Sequence, residues 1–153
     1  MRKIVVSDTS CLIALSKIQH LELLYKLYED VFTTSLVIQE FGEELPEWIK
    51  QIDPKDIQKQ HLLELQIDKG EASAINLALE ISAELVILDD FKARKVAQRL
   101  KLNITGTLGI IIKAKKTDLI KSIKPILKKL QDTNFRISDQ LIHEALLQAN
   151  ETP

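Results

Sequence analysis

The 153-residue chain has one cysteine, Cys11, and only four glycines and four prolines. A single thiol excludes an intramolecular disulfide and a cysteine-based zinc site. So little glycine and proline leaves small room for a long flexible linker. No repeat or low-complexity segment is present. No apolar run approaches the roughly 18–20 residues that a membrane span requires. The first residues, Met-Arg-Lys-Ile-Val-Val-Ser-Asp, carry a short apolar run broken by Ser-Asp, which does not read as a signal peptide. The expectation is a cytoplasmic protein with no membrane partner. Histidine is also scarce: His20, His61 and His143 are far apart and share no ligand spacing, and His61 and His143, in polar helices, read as surface residues.

What is present is the composition of a globular protein, 45% apolar and 28% charged. The length fits one domain, expected over residues 1–150 with a tail at 151–153. The net charge is −1, but it is unevenly spread. Residues 92–129 hold twelve lysines and arginines against one acid, Asp118, whereas the first 91 residues carry a balance of −9. Such segregation points to a polyanionic partner; the alternative is that lysine-rich amphipathic helices simply have solvated faces.

Two strands read as buried, Ile4–Ser7 and the fully apolar Leu85–Leu88, and shorter β-branched pieces lie at Asp30–Thr34 and Asn103–Thr105. Trp48–Ile52 is a further extended candidate. Helical spacing is predicted after each: from a Ser10 cap to Lys17, at Leu21–Tyr28, from a Ser35 cap towards Glu44 with Pro46 as the stop, at Asp56–Gln66, from Asp68, at Lys92–Leu100, Ile110–Lys116, Ile120–Leu130 and Ser138–Gln148. Strands without apolar–polar alternation, separated by helices, mean a parallel sheet covered on both faces. The expected class is α/β: a compact three-layer α/β/α domain with a short parallel sheet of four to five strands.

Both apolar strands run into aspartate, Asp8 after the first and Asp89-Asp90 after the second. In a parallel sheet these ends share one edge. Glu40 lies in an otherwise apolar helix, and Glu71 lies in the first turn of another, directly after Gly70. Each acid has an ordinary explanation. Asp8 and Asp89 can cap the helices that follow, Glu71 can favour a helix N-terminus, and Glu40 can lie on a polar face. Those explanations do not say why two buried strands end in the same way. Clustered carboxylates repel and need a compensating cation, and hard oxygen ligands suit Mg²⁺ or Mn²⁺. A cation held in this way can activate water and stabilise an in-line phosphoryl displacement. The basic segment 92–129 would then neutralise phosphates on either side of the site.

Four motifs occur in order: Asp8-Thr9-Ser10 before Leu-Ile-Ala-Leu; Glu40; Gly70-Glu71-Ala-Ser-Ala-Ile; and Leu88-Asp89-Asp90 before Lys-Ala-Arg-Lys-Val-Ala. Thr105-Gly-Thr-Leu-Gly-Ile and Phe135-Arg-Ile-Ser follow. Together they resemble the PIN-domain metal-dependent ribonucleases, over nearly the whole chain from Ile4 to about Ala149. The resemblance implies an endoribonuclease that leaves 5′-phosphate and 3′-hydroxyl ends. It implies Asp8, Glu40, Glu71 and Asp89 as the catalytic acids, with Asp8 and Asp89 as metal ligands and Asp90 as a candidate to share the fourth position. Thr9, Ser10, Thr105, Thr107, Lys92 and Arg94 are the implied substrate contacts. Many members are the toxins of toxin–antitoxin pairs, so RNA, a protein antitoxin and a homodimer are the implied partners. Typical toxins of the family carry aspartate at the third motif. Glu71 is longer and would shift the metal outward, which favours the alternative of a catalytically weak module that binds nucleic acid or a regulatory partner.

Other residues read more simply. Cys11 has no obvious base beside it and reads as a small buried thiol. The last helix offers Ile137, Leu141, Ile142, Leu146 and Leu147 either to a dimer contact or to the domain's own core. A phosphohydrolase would want Asp-x-Asp after the first strand, where this chain has Asp8-Thr9-Ser10.

Overall fold

The structure, a computed structural model, describes residues 3–153; Met1 and Arg2, which the expected 1–150 domain includes, lie outside the described residues. The chain runs β1 (Val5–Ser7), α1 (Thr9–Lys17), α2 (Glu22–Tyr28), β2 (Val31–Thr33), α3 (Ser35–Phe41), β3 (Ile49–Gln51), α4 (Ile57–Glu64) and α5 (Lys69–Glu80). It continues with β4 (Leu85–Ile87), α6 (Phe91–Arg99), β5 (Ile104–Thr105), α7 (Thr107–Lys116), α8 (Lys124–Gln131) and α9 (Asp139–Gln148). The five strands form one parallel sheet in the order β3-β2-β1-β4-β5.

That order fixes where a site can form. The chain winds outward from β1 through β2 to β3, then returns to β4 on the other side of β1. The switch point lies between β1 and β4, and in open parallel sheets the carboxyl ends of such a pair border the ligand crevice. Val6 pairs with Val86 and Ser7 with Ile87, so the two strands end together. The Asp8 N–H donates to the Ile87 carbonyl at 3.1 Å, which fixes the first acid's backbone against β4.

The strands lack polar alternation because both faces are covered. Val5, Val31 and Ile87 point into one core with residues of α1, α2, α7, α8 and α9. Val6, Val86 and Leu88 point into a second core with α5, α6 and Leu63 of α4. This is the expected three-layer domain. Trp48 packs against Tyr25, ring centroids 5.5 Å apart. Leu146 of α9 is buried and Ile142 packs on the first core, whereas Leu141 and Leu147 stay exposed, so one face of α9 closes the domain and the other does not.

Several helix boundaries differ from expectation: α1 begins at Thr9 and α7 at Thr107, both earlier than expected, and those of α3 and α8 have local reasons. Thr34, not Ser35, caps α3: its Oγ1 accepts from the Val37 N–H at 3.3 Å. α3 also ends before Pro46, at Gly42, whose φ of 78° is a left-handed cap that glycine adopts freely. α8 begins only at Lys124, with Pro125 in its first turn, a position where proline's missing N–H costs nothing. Glu151 is not loose tail: its carboxylate accepts from Ser122 Oγ (2.6 Å), Ile123 N–H (2.8 Å) and Lys115 Nζ (3.1 Å).

Candidate functional site: an acidic crevice at the sheet edge

α1, α5, α6 and α7 all begin beside the ends of β1 and β4. The partial positive charge of a helix N-terminus favours anions. Four such ends partly offset the repulsion among the carboxylates gathered there.

Asp8 is at the N-cap position of α1, in place of the expected Ser10, yet its side chain makes no capping bond. It is only 3% exposed. Its nearest hydroxyl, Thr9 Oγ1, lies 3.4 Å away and donates at a shorter 2.8 Å to Glu40 Oε1. Burial pushes the Asp8 carboxyl up from 3.8 to about 6, and the charges of Glu40 and Asp89 add to the rise. This carboxylate is thus costly in its charged form and serves no cap.

Glu40 is carried by α3, which packs against α1 and α5. Its carboxylate lies so close over Gly70, in the first turn of α5, that a Cβ there would overlap Oε1. A chain of buried hydroxyls holds α3 and α5 together beneath it: Thr34 Oγ1 and Ser73 Oγ are 2.6 Å apart, and Ser73 Oγ donates to the Gly70 carbonyl at 2.7 Å. Thr33 Oγ1 donates to the Ser7 carbonyl at 2.7 Å, tying β2 to the last residue of β1.

Asp89 is half-buried and turned towards α7. It accepts from the Thr107 N–H at 2.8 Å and from Thr107 Oγ1 at 2.6 Å. Gly106 makes this approach feasible: a Cβ there would lie 2.6 Å from Asp89 Oδ1 and 2.9 Å from Arg94 Nη1. The Arg94 guanidinium is itself fixed by donating to the Leu88 carbonyl at 2.8 Å. The adjacent acid takes a different role. Asp90 is exposed and caps α6, accepting from the Ala93 N–H at 3.0 Å.

Glu71 combines both readings. Its Oε1 accepts from the Asp68 N–H at 3.2 Å, as a helix-start glutamate does. Its carboxyl is nonetheless pushed up from 4.5 to about 7, by burial first and then by the charges of Asp8 and Asp90. It therefore lies within the field of the acid group.

The expected substrate contacts divide. Thr9 is at the centre of the crevice, and Ser10 is exposed in the first turn of α1. Lys92 is exposed and Arg94 half-buried at the start of α6. Thr107 is fully buried and holds Asp89, so it stands behind the acid and not on the surface. Thr105 is half-buried under Gly109, where an added Cβ would overlap its Oγ1. The basic segment also divides. The last turn of α7, with Lys113, Lys115 and Lys116, is ~14 Å along the helix from its start at the crevice. Lys129 of α8 lines a hollow with Lys17 and Gln19, at the far end of α1. Only the start of α6 brings the segment's charge to the acids.

Cys11 is fully buried beside Thr107, and burial pushes its thiol far up, so it is inert packing. Gly70, Gly106 and the hydroxyls of Thr34 and Ser73 were missed as site residues by sequence reasoning. The two glycines stood inside the quoted motifs, beside the acids they make room for. The hydroxyls carried no signal.

The donors gathered here are carboxylate oxygens, the kind that hard divalent cations take. Among the described residues, however, no group of three or more His, Cys, Asp or Glu side chains is arranged to hold a metal ion. The charge on Asp8 fits a cation; the side chains as they lie are not a complete coordination shell. Among the described residues, no helix is long and apolar enough to cross a membrane.

A family model described as a PIN domain matches residues 4–151, nearly the entire chain. A comparison with curated proteins finds no match.

Proposed function

The chain belongs to the PIN-domain family, and from that premise we propose that it is a metal-dependent endoribonuclease acting at the crevice between β1 and β4. The observation that carries this reading is Asp8. It is buried, caps nothing, and has its carboxyl raised to about 6 by burial together with the charges of Glu40 and Asp89. Burial without a capping bond raises the cost of its charge, and a bound cation would offset that cost.

Mg²⁺ or Mn²⁺ would be held by Asp8 and Asp89, with Glu40 and Glu71 completing the acidic surroundings, and when bound would supply a polarised water and charge neutralisation at a phosphoryl group. The rest is done by the chain itself. Thr9 keeps Glu40 beside Asp8 by donating to it. Thr107 sets the rotamer of Asp89 with two bonds. The start of α6 presents Lys92 and Arg94 to phosphate oxygens, and Ser10 offers a hydroxyl from the start of α1. Asp90 supports the site by starting α6 at the right place, and Thr105 packs under α7. Glu71, its carboxyl raised to about 7 by burial and by the charges of Asp8 and Asp90, eases repulsion within the acid group when it is protonated.

A second reading, a module that binds RNA with little turnover, is favoured by one observation. Glu71 and Asp90 are engaged at helix starts, and among the described residues no three ligands converge. The family's toxin members extend the first reading to a silencing antitoxin and a homodimer.

A pool of structured RNAs incubated with Mn²⁺, Mg²⁺ or EDTA separates the two. Metal-dependent cleavage that disappears in Asp8→Asn and Asp89→Asn supports the nuclease. RNA binding without cleavage in wild type and variants alike supports the module.

A further inference from the structure

From Asp89 a cleft of about 600 Å³ leads away from the acids, between the start of α6, the β5–α7 junction and α9. That is a volume typical of small-ligand pockets. Its lining pairs two aromatic rings with two guanidiniums: Phe91 and Arg94 on the α6 side, Phe135 and Arg136 on the segment before α9. Phe91 is 70% exposed, and the Lys95 ammonium lies 4.8 Å over its ring. Leu108 and Ile112 of α7 form an apolar floor. Beyond Asp89, the one carboxylate in the lining is Glu144 of α9, within 3.4 Å of the Gln140 Nε2 donor.

A purely apolar peptide would not need the arginines, and a duplex would not enter a cleft of this size. Stacking faces interleaved with cations are what a single-stranded nucleic acid uses: every base has a π-face, and every linkage has a phosphate. The cleft also starts at an acid of the proposed reaction centre. The geometry points to this cleft as a subsite for an unpaired nucleotide of single-stranded RNA next to the cut phosphate, with its base against Phe91 and Phe135 and its phosphate held by Arg94 and Arg136. This inference rests on the nuclease reading and adds to it the side chains that hold the nucleotide beside the cut.

The test is the affinity of the full chain for a short fluorescein-labelled single-stranded RNA in EDTA, followed by KM for its cleavage in Mn²⁺. Phe91→Ala removes an exposed ring. Phe135→Leu removes the other ring but keeps an apolar side chain against the core, so the fold is spared. Each is expected to weaken binding by about 5- to 100-fold. Arg136→Gln is expected to lower the slope of log affinity on log salt by about 0.7. An RNA with an abasic nucleotide at the cut should bind wild type as weakly as the intact RNA binds Phe91→Ala. Unchanged affinity, salt slope and KM in all three variants, with wild type still cleaving, would overturn the subsite and leave the nuclease standing. A wild type that neither binds nor cleaves RNA would remove both.

Discussion

Asp8 and Thr107 illustrate how much single side chains decide here. The Asp8 carboxyl rises from 3.8 to about 6 in the fold. The unfolded chain therefore loses this proton first as pH rises. Between about pH 4 and 6 the folded state still holds a proton that the unfolded state has lost, and stability without metal falls until pH passes 6. Glu71, raised from 4.5 to about 7, extends the fall towards neutrality. Asp8→Asn removes the first part, so in EDTA at pH 7.5 the variant is expected to be more stable than wild type by about 1–3 kcal/mol. Urea denaturation at pH 5 and 7.5 checks this: the gain should shrink at pH 5, and a variant less stable than wild type at pH 7.5 would contradict it. Thr107→Val leaves the backbone donor and removes the hydroxyl that fixes Asp89. A loss of about 10–100-fold in metal affinity or cleavage rate is expected, at nearly unchanged melting temperature. Asp8 and Asp89 stood out in the sequence because each follows an apolar strand, whereas Glu40 and Glu71 lie on helices and drew notice through their place in the motifs. Which acid of the doublet turns inward was not legible, since that depends on Thr107 lying beneath Asp89 and on Asp90 capping α6.

Among the elements, α3, α5 and α7 bring side chains to the crevice by close backbone approach. Gly70 leaves room for the Glu40 carboxylate and Gly106 for Asp89 and Arg94. Gly70→Ala should force Glu40 away from Thr9 and reduce cleavage more than stability, a split that rate and thermal melting measured together would reveal. The strands and most helices were readable from apolar runs and helical spacing. The α3 and α8 boundaries were not, because Gly42 and Pro125 act through backbone conformation and not through hydrophobic pattern. The join of α7, α8 and the chain end was also invisible, since it depends on the Glu151 carboxylate meeting donors 28 to 36 residues away. Glu151→Ala leaves the Ile123 N–H and Lys115 without that acceptor. A cost of about 2 kcal/mol, or about 4–8 °C in Tm, is expected, with cleavage at low temperature unaffected.

For the whole molecule, charge is divided by the fold in a way that the linear sequence hid. Residues 92–129 are strongly basic, yet Lys92 and Arg94 stand at the start of α6 beside the acids, while Lys113, Lys115 and Lys116 end α7 and Lys129 lines a hollow at the far end of α1. At physiological salt, exposed charges more than ~8 Å away are largely screened. Lys128→Gln with Lys129→Gln should therefore leave affinity for a short RNA within about twofold, whereas Lys92→Gln should lower it and reduce the salt dependence. Equal losses from both would mean that RNA extends over the far face. The sheet order, with its switch point between β1 and β4, places the acids, the helix starts and the cleft along one edge. A charge census alone does not contain that arrangement.

Under the proposed function Asp8 and Asp89 hold a divalent cation at this edge, while Asp90 and Glu71 also serve helix starts. The most direct measurement is calorimetric titration of Mn²⁺ into wild type and Asp8→Asn at pH 6, in two buffers of different ionisation enthalpy. Saturable binding accompanied by proton release is expected in wild type, with loss of both in the variant. Binding that is absent from wild type, or equally tight and proton-neutral in both proteins, would contradict the cation site.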